Sequence, residues 1–176
     1  MNQENLSKTI AFALRHRPQQ FNLTLNKQGW VSLENLVAGI NTAKNTTITV
    51  EQILTVVEKD NKQRFAVKNG MIRANQGHTV PVNLGLTPKT PPVTLFHGTI
   101  AEFVPSIRKQ GLKAGKRTHV HLSATVEVAT QVGARRGNPV ILTILAEQAH
   151  KAGVKFYQAE NGVWLTEHLP AKFIAN

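Results

Sequence analysis

The chain has 176 residues, 41% of them hydrophobic, with 21 Lys+Arg against 10 Asp+Glu and a formal charge of +11. That length allows one domain or two small ones with real cores, and the charge points to a polyanionic partner, nucleic acid first. The absence of cysteine excludes disulfides, thiolate catalysis and Cys-based zinc sites. The positive bias is not a tail: residues 1–90 hold 11 bases and 5 acids, and residues 91–176 hold 10 and 5. No apolar run approaches the roughly 18 residues that a membrane span needs, and Met1-Asn2-Gln3-Glu4-Asn5 has no signal-peptide pattern. A cytoplasmic protein, monomeric by default and without a membrane partner, is expected.

In chain order, Leu6, Ile10, Ala13 and Leu14 recur at helical spacing, and Pro18 ends that helix just after Arg15-His16-Arg17. Gly29 breaks the chain. Ser32 can cap a second helix carrying Leu33, Leu36, Val37 and Ile40. Thr49-Val50-Glu51-Gln52 reads as a capping box opening a third, with Ile53, Val56 and Val57 inward. Arg64–Val67 and Met71–Ala74 then flank Lys68-Asn69-Gly70, whose Asn-Gly signals a hairpin. Three helices followed by a hairpin is the order of a winged-helix domain, expected over residues 1–85.

Pro88, Pro91 and Pro92 make residues 86–92 a linker, since proline opposes both helix and central strand. Beyond it, Val93–Phe96, His119–Leu122, Pro139–Leu145, Lys155–Tyr157 and Gly162–Leu165 read as strands. Phe103–Gln110, Val126–Val132 and Glu147–Lys151 read as short helices. The whole is expected to be α+β, with a largely antiparallel sheet in residues 93–176. No GxGxxG or Walker A sequence is present, so Rossmann and P-loop nucleotide binding are unsupported.

The polar residues cluster: Leu14-Arg15-His16-Arg17-Pro18, Asp60-Asn61-Lys62-Gln63-Arg64-Phe65, Phe96-His97-Gly98-Thr99, His119-Val120-His121-Leu122-Ser123 and Val132-Gly133-Ala134-Arg135-Arg136-Gly137. Arginine forks take phosphate oxygens in pairs, and histidine moves protons near neutral pH. Arg15, Arg64 and Arg135 with His16 suit a phosphoryl group: guanidiniums stabilise developing charge, and an imidazole exchanges a proton with a ribose hydroxyl. His97-Gly98-Thr99 follows an apolar run and is expected at a strand end, where glycine would let a ligand approach the backbone. His121 and Ser123, two apart on a strand, share a face. Trp30 and Trp164 are expected in the core. Apart from Asp60 the clusters hold no carboxylate, which argues against a two-metal phosphatase; no metal is expected.

These clusters, in this order, resemble the RNA 2′-phosphotransferase family. The resemblance runs from Leu6-Ser7-Lys8 to Pro170-x-x-Phe173. It includes Leu14-Arg15-His16, Gly29-Trp30-Val31, Asn61-Lys62-Gln63-Arg64-Phe65, Ile72-Arg73-Ala74-Asn75-Gln76-Gly77-His78, Leu95-Phe96-His97-Gly98-Thr99, His119-Val120-His121-Leu122-Ser123, Val132-Gly133-x-Arg135-x-Gly137 and Asn161-Gly162-Val163-Trp164-Leu165-Thr166. One departure is visible: the family's Asn-Asp order is inverted to Asp60-Asn61.

The resemblance implies a winged-helix-like RNA lobe joined to an ADP-ribosyltransferase-like lobe. It implies a tRNA-like RNA substrate bearing an internal 2′-phosphate, as in tRNA splicing, and NAD consumed as co-substrate. The 2′-phosphate would attack C1″ of the nicotinamide ribose, and the ribose 2″-OH would then attack that phosphate. The products would be RNA with a 2′-OH, ADP-ribose 1″,2″-cyclic phosphate and nicotinamide. The family's catalytic set falls on Arg15, His16, Arg64 and Arg135, with Arg136 the alternative under a one-place shift. Its NAD-binding motifs fall on His97, Gly98, Thr99, His121 and Ser123. Two other readings stay open: a transferase that ADP-ribosylates terminal phosphates of nucleic acid and stops there, and a non-enzymatic winged-helix binder.

Overall fold

The computed structural model of the chain describes residues 1–175, which divide between residues 85 and 86 into two compact units. Each has its own core.

The first unit is built on three capped helices. Asn2 accepts from the Asn5 N–H at the start of α1 (Gln3–Arg15), and Ser32 from the Asn35 N–H at the start of α2 (Leu33–Lys44). Thr49 and Gln52 form the expected reciprocal box before α3 (Val50–Glu58). Each cap satisfies a donor that the first turn leaves open, for about 1 kcal/mol. The apolar stripes bury Ile10, Leu14, Leu36, Ile40 and Ile53 completely, about 1.5–3 kcal/mol apiece. Strands β1 (Val31–Ser32), β2 (Phe65–Lys68) and β3 (Met71–Ala74) form an antiparallel sheet in the order β1-β3-β2. Asn69 and Gly70 both take positive φ, 51° and 72°, as a tight β2–β3 turn requires.

Residues 81–92 form neither helix nor strand. In the second unit, β4 (Leu95–Ile100) leads through a 3-10 turn (Ala101–Phe103) into α4 (Val104–Gln110), β5 (Leu112–Lys113) and β6 (Val120–Leu122). Then come α5 (Val126–Gly133), β7 (Pro139–Ile144), α6 (Ala146–Lys151), β8 (Tyr157–Gln158), β9 (Trp164–Thr166) and β10 (His168–Leu169). All pairings are antiparallel: β4 with β7, β6-β9-β8, and β5 with β10. A bridge between Phe96 and Ser123 ties β4 to β6. The fold class is therefore α+β.

Three expectations need correction. The β4 strand continues to Ile100, so His97, Gly98 and Thr99 lie within it, not at its end; their ladder to β7 runs from Leu142 to Val140. The two-residue strands β1, β5 and β10 were not expected, being too short to show a period of two. Trp164 is buried, but Trp30 is only half-buried, with the Arg73 guanidinium 4.8 Å over its ring.

Candidate active site

In the first unit, one buried polar segment backs three basic residues. Arg15 is the last residue of α1 and His16 caps it. The carbonyls of a last turn lack helical partners; that of Arg15 accepts the N–H groups of Thr79 at 2.8 Å and Val80 at 3.3 Å. The chain leaving β3 is thereby laid across the end of α1. Gly77 suits the turn by its φ of +90°, which side-chain-bearing residues rarely adopt, and it lies against the Arg15 guanidinium. The Thr79 hydroxyl lies 3.1 Å from His16 Nδ1. Asn75, at the other end of the segment, donates its N–H to the Arg64 carbonyl at 2.8 Å and its Nδ2 to the Gln63 carbonyl at 2.6 Å. Residues 75–78 are buried although all are polar or glycine, a placement that calls for fixed hydrogen bonds.

Arg64 is set by the turn before it. Asp60 Oδ2 accepts the Arg64 N–H at 2.7 Å, and Oδ1 accepts the Lys62 N–H at 3.2 Å. The Arg64 Nη1 also donates to Oδ1, at 2.6 Å. The Asp60 side chain is 4% exposed and that of Arg64 31%, so the anion is committed inside while the cation still reaches the surface. Arg64 lines an open cleft of about 410 Å³ with Ser7, Lys8, Ala11 and Lys59. Gln63 takes φ 45° to close the turn, a conformation costing a non-glycine residue about 1 kcal/mol. Asp60→Ala should lower stability by about 1–3 kcal/mol, with Asp60→Asn restoring part of it. Urea unfolding of the two variants checks this.

Arg73 serves the frame. It is 7% exposed, and its Nη1 donates to the Leu84 carbonyl at 3.2 Å and the Gln28 carbonyl at 3.4 Å. It ties the loop before β1 to the chain approaching residue 85.

In the second unit, His97 Nδ1 stands 3.0 Å from the His121 carbonyl. A carbonyl only accepts, so Nδ1 carries the proton. Burial holds the His97 pKa below the ordinary histidine value; the bond to His121 opposes this and Arg136 adds to it. Burial thus favours the neutral form of His97. Arg117 lies 3.4 Å through Nη1 from His121 Nδ1. Burial, then Arg136, then Arg135 lower its pKa, which places three guanidiniums in one field. Among the described residues, no carboxylate pairs with any of the three. Arg136 also stands 5.7 Å over the Phe103 ring, whereas Arg135 has no ring contact among the described residues. His119 sits against Thr118 and, edge-on, Tyr157.

Gly98 packs against α5, and Thr99, one residue on in β4, is buried. A Cβ on Gly98 would lie 1.8 Å from the Ala129 carbonyl oxygen, and one on Gly133 would lie 2.9 Å from that of Thr99. The missing side chain at Gly98 lets α5 approach β4 closely. Ser123 exchanges both backbone hydrogen bonds with Phe96 at 2.8 Å, so β4 and β6 bring His97, His121 and Ser123 together. Asp60, Thr79 and Arg117 were missed as site residues. Asp60 alone left a local signal, a carboxylate just ahead of the two backbone N–H groups that it accepts. Among the described residues, no three His, Asp or Glu side chains gather as metal ligands, and no helix is long and apolar enough to cross a membrane.

Comparison with known proteins agrees with this chemistry. The pattern of the RNA 2′-phosphotransferase, Tpt1/KptA family matches residues 1–168, and the chain belongs to that family of transferases. It is 44% identical over 171 residues to a probable RNA 2′-phosphotransferase of Rhodopirellula baltica, covering 96% of this chain and 92% of that one. A probable RNA 2′-phosphotransferase of Pseudomonas aeruginosa is 45% identical over 175 residues, covering 97% and 95%. One from Acetivibrio thermocellus is 42% identical over 171 residues, covering 96% and 94%.

Proposed function

We propose that the chain removes an internal 2′-phosphate from RNA with NAD as co-substrate, in two steps. The 2′-phosphate is first ADP-ribosylated; transesterification then gives 2′-OH RNA, ADP-ribose 1″,2″-cyclic phosphate and nicotinamide. The observation that carries the reading is the segment Asn75–Thr79, buried up to His78 and exposed at Thr79, which backs Arg64, Arg15 and His16 at once. Preorganised guanidiniums aimed at phosphoryl oxygens need no rearrangement as charge shifts. The one acid of that set, Asp60, is spent on holding Arg64, which suits a nucleophile that is already an anion.

In this reading the first unit is a winged-helix-like RNA lobe, with the β2–β3 hairpin as its wing, and the second an ADP-ribosyltransferase-like lobe. NAD, when bound, supplies an electrophilic ribose carbon, a nicotinamide leaving group and the 2″-hydroxyl. The second unit suits such a ligand: Arg117, Arg135 and Arg136 form a cationic group without carboxylate partners, and a pyrophosphate would complement it. His97 is favoured in its neutral form and fixed through Nδ1, and with His121 and Ser123 it would hydrogen-bond the ribose. Gly98 and Thr99 would hold β4 on α5 beneath them. Arg135 completes the catalytic set by its place in the family motif; Arg136 is engaged by Phe103.

His16 moves the proton. It accepts the proton of the attacking 2″-hydroxyl as the new O–P bond forms. It returns that proton to the RNA 2′-oxygen as the old bond breaks. Arg15 and Arg64 hold the phosphoryl oxygens throughout.

The test is nicotinamide release in the presence of RNA. Release should require an RNA 2′-phosphate and be absent with the same RNA bearing a 2′-OH. His97→Ala should suppress release and the later step together, by roughly 10²-fold or more if a preorganised polar contact to the reacting ribose is lost. Wild-type NAD turnover in that variant would reject the assignment of His97.

A further inference from the structure

We propose that Thr79 is the positioning residue of His16, its hydroxyl fixing the imidazole in the tautomer protonated on Nδ1. The inference rests on the proton-transfer role given to His16 above. Thr79 Oγ1 lies 3.1 Å from His16 Nδ1 and 3.3 Å from the Arg15 carbonyl oxygen. A hydroxyl has one proton to give, and a carbonyl oxygen can only accept. The Thr79 proton is directed to the Arg15 carbonyl, so Oγ1 offers a lone pair to His16 and Nδ1 must bring the hydrogen. The lone pair of the neutral ring then resides on Nε2.

Three further observations make this a built arrangement. The Thr79 N–H donates to the same Arg15 carbonyl at 2.8 Å, so the main chain of Thr79 is held beside His16 and a single χ1 rotamer presents Oγ1 to the ring. The Phe12 ring, one turn back on α1, lies 6.2 Å from the His16 ring at 55° and restricts its rotation. Thr79 itself is exposed, so its methyl group fills no core; its distinctive contribution is the hydroxyl. A threonine 63 residues away in sequence thus decides which nitrogen of His16 is basic.

The consequence lies in the second step. A ring protonated on Nδ1 can accept the 2″-hydroxyl proton at Nε2 and hand it to the departing RNA 2′-oxygen, with no net proton gained. The other tautomer would carry hydrogen on Nε2 and have no acceptor there. The orienting partner of a histidine selects its tautomer in this way at proton-transfer sites generally.

The experiment is a nitrogen–proton correlation spectrum of the full chain labelled with ¹⁵N in its histidine rings. His16 is assigned by the signal lost in His16→Gln, and the spectrum is recorded where the ring is neutral. Wild type should show Nδ1 as the protonated nitrogen and Nε2 as the bare one. Thr79→Val keeps the backbone N–H and the shape but lacks the hydroxyl, and should convert the His16 signal to a tautomer mixture. In the same variant, kcat for 2′-phosphate removal should fall at least about tenfold, and by no more than the roughly 10²–10⁴ that proton-transfer catalysis contributes, with KM for RNA little changed. Thr79→Ser should restore both signal and rate. Hydrogen on Nε2 in wild type, or a Thr79→Val spectrum and kcat equal to wild type, would overturn the proposal. The spectrum does not depend on turnover: a fixed Nδ1–H tautomer in a protein inactive on 2′-phosphorylated RNA would uphold the role of Thr79 and remove the proposed function instead.

Discussion

Replacing His16 or Arg64 with alanine is expected to leave the first step running and stall the second, so that RNA enlarged by ADP-ribose on its 2′-phosphate accumulates. The first step needs little from His16, because a phosphate dianion is already nucleophilic. The second must deprotonate one ribose hydroxyl and protonate another oxygen, and the imidazole capping α1 is the group proposed for both. Proton-transfer catalysis is worth roughly 10²–10⁴ in rate, and loss of a charge-stabilising donor about 10²–10³; either variant should slow product release by that order. Arg64→Ala should not collapse its turn, because Asp60 keeps the N–H groups of residues 62 and 64. Gel analysis of an RNA with a labelled 2′-phosphate checks both variants. Release of the final product at the wild-type rate would remove these residues from the mechanism.

Gly98→Ala is expected to damage the second unit more than any nearby polar change. A Cβ there would meet the Ala129 carbonyl oxygen at 1.8 Å, its carbon at 2.8 Å and the Gly133 nitrogen at 2.9 Å. All three are backbone atoms, so no rotamer change relieves the clash, and α5 must move away from β4. Overpacking a core costs about 1–3 kcal/mol where side chains can adjust; here that is a lower bound. A Tm lowered by roughly 5–10 °C, or failure to obtain soluble protein, follows from about 2–4 °C per kcal/mol for a chain of this size. An unchanged Tm would mean that β4 and α5 do not approach as described. The alanine side chain itself is small and apolar, so the prediction isolates backbone approach from any loss of ligand contact.

The sequence was most legible where the physics is local. Helix α1 ends before Pro18, Ser32 and Thr49 cap α2 and α3, and Asn69-Gly70 turns the hairpin; each depends on neighbours within four residues. Strand β4 was misjudged at its end because His97-Gly98-Thr99 breaks the apolar run, although the three residues remain on the β7 ladder. The role of Gly98 depends on α5, some thirty residues on, and no local pattern reveals it. The same holds for the site. Basic clusters named Arg15, His16 and Arg64, but the segment that backs them draws on pairings between residues 15–16 and 79 and between residues 63–64 and 75. The local signal at Asp60 covers the backbone N–H groups that follow it; that the same carboxylate also takes the guanidinium of Arg64 was not legible.

The measurement that tests the central claim most directly uses a short RNA with one internal, labelled 2′-phosphate, incubated with the protein with and without NAD. NAD-dependent transfer of the label to a small ADP-ribose phosphate, leaving RNA with a 2′-OH, is the predicted result. Label retained on RNA enlarged by ADP-ribose would contradict the two-step account and leave a transferase that stops at the adduct. Label untouched in both tubes would contradict the enzymatic account itself.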